Sequence, residues 1–465
     1  MFCKGLAEFR KSVLPLAMAT VTMVAGTYVA FSSGAAAAST AESRTLSSTS
    51  ATSGVWPGVG KICESGSGGA SSVRGVGAKS INIAVFNDAA STIEPGLEVE
   101  FVQQAKAFAD WCNAAGGING RQIVIDDRDA ALFNAAQQTT AACQSDFMAV
   151  GGGMALDQPS VPIREKCGLG QISGYVVSDA SDLASDQVDP SGINTDSVPA
   201  GWFGALAKAY PQAVKAAGMG GQNDPSILEP ETKYEFGAEA QGWHVVDFAE
   251  PPISVTDWAP YVEDYQSKGA EALWPADTAN IAPFTQAMAT AGYHPAFVAL
   301  GTQFANSMTQ QAVAANPSLP PVYVETSWWP LSIASQNPST EQLVKVMHTY
   351  AKGDAIDFDD EEGAEAWLLW AKSASACAGL TVTCVLNGAA AVKNWDAGGI
   401  QAPIASLTLS NENPQPSPCF ALMKVGSKGI LYDKAITKPT QSIWNCNPKN
   451  VVHLTSHEQQ QLASL

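Results

Sequence analysis

Residues 103–129 read QQAKAFADWCNAAGGINGRQIVIDDRD and are the stretch that decides the fold. Apolar residues recur at the spacing of one helical face, from Phe101 just before this stretch through Ala105 and Phe108 to Cys112. Gly116 and Gly117 follow, and a helix ends easily there because glycine adopts the left-handed conformation without strain. Asn119-Gly120 then predicts a turn into a strand at residues 122–125. Together with a strand-like run at residues 81–86, the stretch predicts a βαβ unit whose helix packs on a sheet.

Strand-like and helix-like segments alternate along the rest of the chain. A first series has strands at residues 81–86, 122–126, 147–151 and 169–173, separated by helices at 97–115, 134–145 and 160–167. A second series has helices at 200–217, 233–241, 258–267 and 281–291, with strands at 226–228, 243–248, 272–274 and 296–300. A strand at 322–326, helices at 340–351, 361–377 and 383–391, and a hairpin of 419–424 with 430–432 complete the pattern. Such alternation predicts two α/β lobes with parallel sheets, and a ligand cleft between them.

The segment NAAGGINGRQI at residues 113–123 resembles the helix-turn-strand signature of type I periplasmic solute-binding proteins, in the branched-chain amino acid-binding (Leu/Ile/Val-binding) family. Residues 256–275 (TDWAPYVEDYQSKGAEALWP) are also similar. The resemblance implies two Rossmann-like lobes with parallel central sheets, joined by a three-strand hinge. Lobe 1 would comprise residues 81–196 plus 330–405, and lobe 2 residues 197–329 plus 406–449. A flexible arm at 39–80 would precede them, and a C-terminal tail at 450–465 would follow.

The same resemblance implies the solute-binding component of an ABC-type importer. The lobes would close on a small amino-acid-like or related organic solute and deliver it to a membrane permease. We expect a monomer with no cofactor and no covalent chemistry. One alternative is a ligand-sensing subunit of a separate membrane receptor, and another is a secreted hydrolase. The sequence contains no GxSxG, GxxxxGK[ST] or HExxH motif, which disfavours the enzymes that use these motifs.

The N-terminus predicts export. Lys4, Arg10 and Lys11 precede a charge-free apolar run at residues 13–31, and SGAAAAST at residues 33–40 supplies the small residues of a cleavage site. We expect a signal peptide at residues 1–38, with a retained membrane anchor as the alternative. No cysteine follows in the cleavage region, so the lipoprotein pattern is missing. The predicted location is the periplasm, the cell envelope or the extracellular space.

Eight cysteines follow the predicted signal, and an even number in an exported chain favours disulfides. Their spacing lacks the CxxC pattern with nearby histidine that a zinc site requires, so we predict no metal site. Sequence proximity suggests three local bridges: Cys143–Cys167, Cys377–Cys384 and Cys419–Cys446. The remaining pair, Cys63–Cys112, would tie the N-terminal arm to the first helix.

The chain is strongly acidic, with a formal net charge of −19 at pH 7. Nucleic acid is therefore excluded as a partner, because binding it requires a basic face. Two acidic runs have structural explanations. Residues 126–129 lack the glycine and glutamate positions of an EF-hand calcium loop, so we interpret them as a solvated strand end. Residues 359–362 precede a helical pattern, where carboxylates complement the positive end of the helix dipole.

Ligand-binding residues are expected at the carboxyl ends of the parallel strands. On lobe 1 these are Asn87, Asp88, Gly152, Gly153, Met154, Ala155, Gly174 and Tyr175. On lobe 2 they are Tyr234, Asp277, Thr278, Gln303, Trp328 and Trp329. Bare backbone N–H groups in the glycine loop after residue 150 would approach an anionic group of the ligand.

The resembling family holds the solute's ammonium with an acidic residue from lobe 2. Here neutral Gln303 stands near that position, and Asp277 is the nearest substitute. Trp328 and Trp329 cannot both face one core in an extended chain, so one of them is expected to face the cleft. An aromatic wall would favour a solute bulkier or more apolar than valine or leucine.

Overall fold

A five-stranded parallel sheet forms the first half of the structure, a computed structural model that describes residues 53–192, 194–276 and 281–465. Its strands, in spatial order, are Gln122–Asp129, Ser80–Asn87, Met148–Val150, Gln171–Ile172 and Gln187–Val188. Side chains alternate between the two faces of a strand. Ile81, Ile83 and Val85 therefore face one core, while Ala84 and Phe86 face another.

Helices cover both faces of this sheet. Val99–Ala114, Pro338–Tyr350 and Phe358–Ala376 pack on one face, and Ala135–Ser145 with Val161–Cys167 pack on the other. The helical face predicted from residues 101–112 is confirmed, because all four of its apolar side chains are fully buried.

An eight-stranded sheet forms the second half. Its order is Val245–Ala249, Ala217–Gly220, Ala272–Trp274, Phe297–Leu300, Val322–Thr326, Cys419–Gly426 and Gly429–Tyr432, with Asn445–Cys446 also paired to Cys419–Gly426. The first five strands are parallel, and the predicted hairpin adds antiparallel strands at one edge. Gly201–Ala209 and Pro225–Ala240 cover one face, and Ala259–Ser267, Ala282–Ala291 and Ser307–Ala315 cover the other.

Smaller elements complete the described residues. Two-stranded sheets join Val55–Trp56 to Gly60–Lys61, Lys393–Trp395 to Ile404–Ser406, and Ser197–Pro199 to Val451–His453. Short helices are Asp179–Asp182, Val382–Ala390, Lys434–Thr437 and Ser456–Leu462. Single 3-10 turns are Gln158–Ser160, Ala213–Lys215, Thr302–Phe304, Ser410–Glu412 and Pro448–Asn450, and Leu331–Gln336 is a longer 3-10 segment with a kink at Ile333. No helix among the described residues is long and apolar enough to cross a membrane.

The chain passes between the two sheets three times, at residues 189–196, 327–337 and 407–418. The structure is thus α/β, with two largely parallel sheets connected by three crossings. The limits of the two lobes remain a prediction. The predicted signal peptide at residues 1–38 lies outside the described residues.

Part of the predicted N-terminal arm packs against the first half of the structure. Trp56 and Ile62 are buried against the first long helix, where the Trp56 ring lies 5.1 Å from that of Trp111. The Trp56 indole N–H also donates to Ser339 Oγ at 2.7 Å. The predicted tail at residues 450–465 is likewise structured, because its first strand pairs with Ser197–Pro199 and Leu462 is buried.

One helix and one strand of the second series were predicted wrongly. The helix predicted at residues 200–217 ends at Ala209, and the strand predicted at 226–228 lies inside the helix Pro225–Ala240. The strand here is Ala217–Gly220. It was not predicted because two of its four residues are glycine, which has a low propensity for β-strands. A Cβ at Gly218 would lie 2.5 Å from Cδ1 of Tyr265, so this strand needs glycine in order to admit the tyrosine ring.

Four disulfides join Cys63 to Cys112, Cys143 to Cys167, Cys377 to Cys384 and Cys419 to Cys446. These are the same four pairs that the sequence suggests. Cys143–Cys167 spans 24 residues and joins the two helices on the second face of the first sheet.

Peptide mapping of the unreduced protein should therefore recover all four pairs. Reduction of Cys143–Cys167 is expected to lower the free energy of unfolding by about 3 kcal/mol, since a loop of this size regains entropy in the unfolded chain. A Cys143→Ser/Cys167→Ser variant isolates this bridge from the other three. Free thiols at these two positions in the native protein would contradict the assignment.

Candidate ligand-binding site

A cavity of about 490 Å³ lies between the two sheets, within the size range of small-molecule sites. On the first-sheet side its wall is formed by residues 93–100, residues 175–177 and the start of helix Phe358–Ala376. On the other side it is formed by helices Gly201–Ala209 and Pro225–Ala240 and by residues 302–308. Residues from all three crossings also line it, including Ser191, Ser327, Trp328 and Ser417.

Glu98 lies in the wall immediately before the first long helix. Its backbone is left-handed, with φ 61°, a conformation that costs a non-glycine residue about 1–2 kcal/mol. The Tyr175 hydroxyl donates to Glu98 Oε1 at 2.6 Å, and the Tyr175 ring stacks on Phe101. Burial, followed by the nearby charge of Asp88, raises the pKa of the Glu98 carboxyl well above its usual value. Strain is thus stored where a buried carboxyl meets the cavity.

Glu325 lines the opposite side, near the end of the strand Val322–Thr326. Burial raises the pKa of its carboxyl to about 8, and a hydrogen bond from the Thr302 backbone N–H lowers it in part. No charged group contributes to this shift. Glu325 is therefore a buried acid that has no compensating cation among the described residues.

Several acidic side chains line the cavity at the start of the helix Phe358–Ala376. Asp357 caps this helix by accepting from the Asp359 N–H, and Asp360 accepts from the Asp357 N–H at 3.0 Å. The predicted role of residues 359–362 at the helix dipole agrees with the capping of the first turn. Glu362 lies beyond that turn, is 5% exposed, and has an Oε2 atom without a hydrogen-bond partner among the described residues.

The wall is acidic overall. The described acidic residues that line it are Glu94, Glu98, Glu100, Asp182, Glu231, Glu325, Asp357, Asp359 and Glu362. Lys233 is the one basic residue among the described residues of the wall. Its Nζ lies 2.5 Å from Asp179 Oδ1 and 3.5 Å from Asp182 Oδ2, so its charge is already used by two carboxylates.

Aromatic rings form another part of the wall. Trp202 and Tyr234 line the cavity with ring centroids 5.7 Å apart, and Trp274 packs behind both. The Trp274 indole N–H donates to Glu231 Oε2 at 2.8 Å. Trp328 also lines the cavity, and its ring lies edge-on to that of Phe358 at 5.5 Å.

The structure places five residues of the predicted site in the cavity wall: Ala155, Tyr175, Tyr234, Gln303 and Trp328. Seven others are not in the wall: Asn87, Asp88, Gly152, Gly153, Met154, Gly174 and Trp329. Asp277 and Thr278 lie outside the described residues.

Asp88 supports the wall from behind instead of lining it. It is fully buried, and its carboxylate accepts from the backbone N–H groups of Leu132 at 2.6 Å and Ala155 at 2.8 Å. Both of those residues line the cavity. Asn87 donates to Asp127 Oδ1 at 2.9 Å, on the strand next to its own. The two strand-end residues thus position loops, because their polar groups are satisfied within the first half.

The glycine loop does not present its N–H groups to the cavity. Gly151 and Gly153 donate to the carbonyls of Ile172 and Phe86, respectively. Glycine is needed here for packing, since a Cβ at Gly153 would lie 2.2 Å from the Tyr175 ring. Gly174 donates to the Gly152 carbonyl, and Met154 is buried beside Phe86. Close packing therefore accounts for Gly153, and the N–H groups of Gly151 and Gly153 are already used within the first half.

Trp329 faces away from the cavity. It lies in a separate apolar cluster with Trp444, whose ring centroid is 6.2 Å away, and its indole N–H donates to the Ile333 carbonyl. The other tryptophan of the pair, Trp328, lies in the cavity wall.

Many residues of the wall were not predicted from the sequence, and Glu98, Glu325, Glu362 and Trp202 are among them. Glu325 could have been identified from the sequence, because it lies in the otherwise apolar strand sequence VYVET and a glutamate is rarely buried without a partner. In the sequence, Glu98 and Glu362 resemble the acidic residues commonly found near helix starts. Their burial depends on neighbours that are distant in sequence.

Glu100, Asp357 and Asp359 form the one group of three potential metal ligands found among the described residues, with carboxylate oxygens within 4.8 Å of one another. Asp357 caps the helix Phe358–Ala376, and Asp359 lies in the first turn of that helix. We assign no metal site to this group.

Comparisons with known proteins identify a family and a set of solved structures with a similar fold. A family model described as periplasmic binding protein matches residues 80–429. No curated protein sequence matches the chain. Among solved structures, a fatty acid ABC transporter substrate-binding protein from Thermomonospora curvata is similar at 14% identity and a TM-score of 0.65, covering 83% of this chain and 97% of that chain.

Two further solved structures share this fold. A leucine-binding protein from Thermotoga maritima has 12% identity and a TM-score of 0.60, covering 76% of this chain and 97% of its own. A solute-binding protein from R. palustris in complex with benzoate has 14% identity and a TM-score of 0.60, covering 76% and 95%. These identities are low, so the structures show similarity of fold alone.

Proposed function

The chain belongs to the periplasmic binding protein family, and we propose that it holds its solute in the cavity between the two sheets and delivers it to an ABC permease. The observation that carries this proposal is the cavity itself, which is lined by both halves and by all three crossings. A ligand that contacts both halves stabilises their closed arrangement through differential binding, which is how such proteins couple binding to motion.

The contacts proposed from the sequence are those that line the cavity: Ala155, Tyr175, Tyr234, Gln303 and Trp328. Glu98 and Glu325 join them from opposite sides. We propose that the protein is exported and acts as a monomer that binds without turnover. The similar structures are named for a fatty acid, leucine or benzoate, and at 12–14% identity none of these solutes is assigned to this chain.

A thermal-shift screen against amino acids, amides, short peptides, amines and aromatic acids tests the proposal. A solute present at about 100 times its Kd adds about 2.7 kcal/mol of stability. Hits should be reversible and chemically unchanged after incubation. A broad screen with no hit, or a hit that is converted to product, would count against solute binding as the function.

Trp328→Ala and Trp329→Ala separate cavity contact from core packing. With the tightest compound of the screen, Trp328→Ala should weaken binding at least tenfold, because burying one face of the indole stabilises the complex by roughly 1.5–3 kcal/mol. Trp329→Ala should change Kd less than about twofold, since Trp329 packs on Trp444 away from the cavity. Isothermal titration calorimetry measures both values, and circular dichroism checks the fold. Equal losses in the two variants would contradict this placement of the cavity.

A further inference from the structure

The charge of the cavity wall is strongly one-sided. Nine of the described residues that line it are acidic and one, Lys233, is basic. No arginine or histidine lies in the described wall. Lys233 is already engaged by Asp179 and Asp182, so it is not available to balance a ligand carboxylate.

Part of this acidity has a structural explanation. Asp357 and Asp359 belong to the capped start of a helix, and Asp182 is paired with Lys233. Glu98, Glu325 and Glu362 have no such explanation. Each is at most 6% exposed, and none forms an ion pair among the described residues.

Unsatisfied oxygen atoms point to a missing partner. Oε2 of Glu98 and Oε2 of Glu362 are buried without a hydrogen-bond partner among the described residues. Leaving a buried carboxylate oxygen unpaired costs free energy that a cationic donor would recover. The strained left-handed backbone at Glu98 adds a second sign that this carboxyl is held in place for a purpose beyond folding.

Two of the helices that begin at the cavity, Ser307–Ala315 and Phe358–Ala376, have first-turn N–H groups capped by side chains, whereas Val99–Ala114 and Gly201–Ala209 have no side-chain cap. Asn306 Oδ1 accepts from the Thr309 N–H and so caps the helix Ser307–Ala315. Asp357 caps the helix Phe358–Ala376 in the same way. Because the chain's own side chains satisfy these N–H groups, a ligand carboxylate would enter an acidic wall without donors at these two helices.

We propose that the solute is an organic cation, an amine with an apolar body and no carboxylate group, held by Glu98 and Glu362 on one side of the cavity and by Glu325 on the other. This inference rests on the proposed solute-binding function and names its ligand class. The ammonium donates to the carboxylates, and the aromatic wall of Trp202, Tyr234 and Trp328 takes the apolar body and can approach the cation through its ring faces.

Two matched series of compounds test the charge directly: hexylamine, hexan-1-ol and hexanoate, and 2-phenylethylamine, 2-phenylethanol and phenylacetate. Within each series the apolar body is similar and the head group is positive, neutral or negative. Thermal shift and isothermal titration calorimetry at pH 8 should show the amines stabilising the protein, with the carboxylates showing at least tenfold weaker binding. A carboxylate or alcohol that binds as tightly as its amine overturns the inference.

Glu98→Gln and Glu325→Gln keep the side-chain shape and remove the charge. Each should weaken amine binding at least tenfold while leaving the protein folded. Glu263→Gln is the control, because Glu263 is exposed on the helix Ala259–Ser267 and does not line the cavity. Equal affinity in the wild type and both cavity variants overturns the inference.

The same design separates this inference from the proposed function. If the broad screen yields a neutral or anionic solute whose binding is lost in Trp328→Ala, the cavity binds solutes and the cationic class is wrong. If no compound of any charge binds, the proposed function and the inference are both rejected.

Discussion

Glu325→Gln should make the unliganded protein more stable in alkaline solution, by up to roughly 5 kcal/mol. Burial raises the pKa of this carboxyl from 4.5 to about 8, and each unit is worth about 1.36 kcal/mol. The unfolded chain releases the proton near pH 4.5, whereas the folded protein holds it until about pH 8. The carboxyl therefore makes folding less favourable as the pH rises through this window, and glutamine removes that loss.

Urea unfolding at pH 5 and pH 8.5 measures this effect. At pH 5 the stabilities of the wild type and Glu325→Gln should differ by less than about 1 kcal/mol, because this pH lies just above the pKa of the carboxyl in the unfolded chain and little of the loss has accumulated. At pH 8.5 the variant should be more stable, and Glu263→Gln should follow the wild type at both values. A variant that loses stability with pH as steeply as the wild type would show that Glu325 is not held in this environment.

The link to solute binding is reciprocal. A buried carboxylate lowers the stability of the unliganded protein, and a bound cation offsets this loss by pairing with the charge. Glu325→Gln should accordingly combine higher stability with weaker amine binding. A purely structural acid would not show this opposite pair of effects.

Gly151→Ala is expected to destabilise the protein by about 2–5 kcal/mol. Gly151 has φ +66°, which costs alanine about 1–2 kcal/mol. The added Cβ would also lie 2.3 Å from Nε1 and 2.4 Å from Cδ1 of the fully buried Trp367. Overpacking of this kind costs about 1–3 kcal/mol more, because the indole is held between Phe108 and Trp370.

Gly168→Ala is the matched control. Gly168 also has φ +66°, but nothing lies within 4 Å of its ideal Cβ. It should therefore lose the backbone contribution alone, about 1–2 kcal/mol. Thermal unfolding of the two variants gives the cost of the clash by difference. Equal losses would mean that the Trp367 ring can move aside, and that the glycine loop is less tightly packed than the structure shows.

Local patterns were sufficient for much of the fold. The helix Val99–Ala114 and the strands on either side of it follow from apolar spacing, two glycines and a turn dipeptide, all within about 50 residues of sequence. Ala272–Trp274 and Val322–Thr326 have the limits predicted for them. Ala217–Gly220 was missed because its glycines make room for the side chain of Tyr265, which is distant in sequence.

The residues of the candidate site were also only partly predictable from the sequence. Strand ends identified Tyr175 and Gln303 as cavity residues, since parallel strands direct their carboxyl ends to one edge of a sheet. The same rule also selected Asp88 and Gly153, which the structure places outside the cavity wall. Whether a strand-end residue faces the cavity or supports it depends on which loop its polar groups meet, and sequence spacing does not contain that information.

The sequence by itself determined the α/β class and the family resemblance and suggested three local cysteine pairs, because these depend on periodicity and on residues that are close along the chain. The tertiary structure alone decided that Trp328 lines the cavity while Trp329 packs on Trp444, and that Glu98, Glu325 and Glu362 enclose one space. Those three carboxyls lie more than 200 residues apart at the extremes. Their burial, and with it the upward shift in their pKa, depends on neighbours that are distant in sequence, since desolvation is a property of the folded wall.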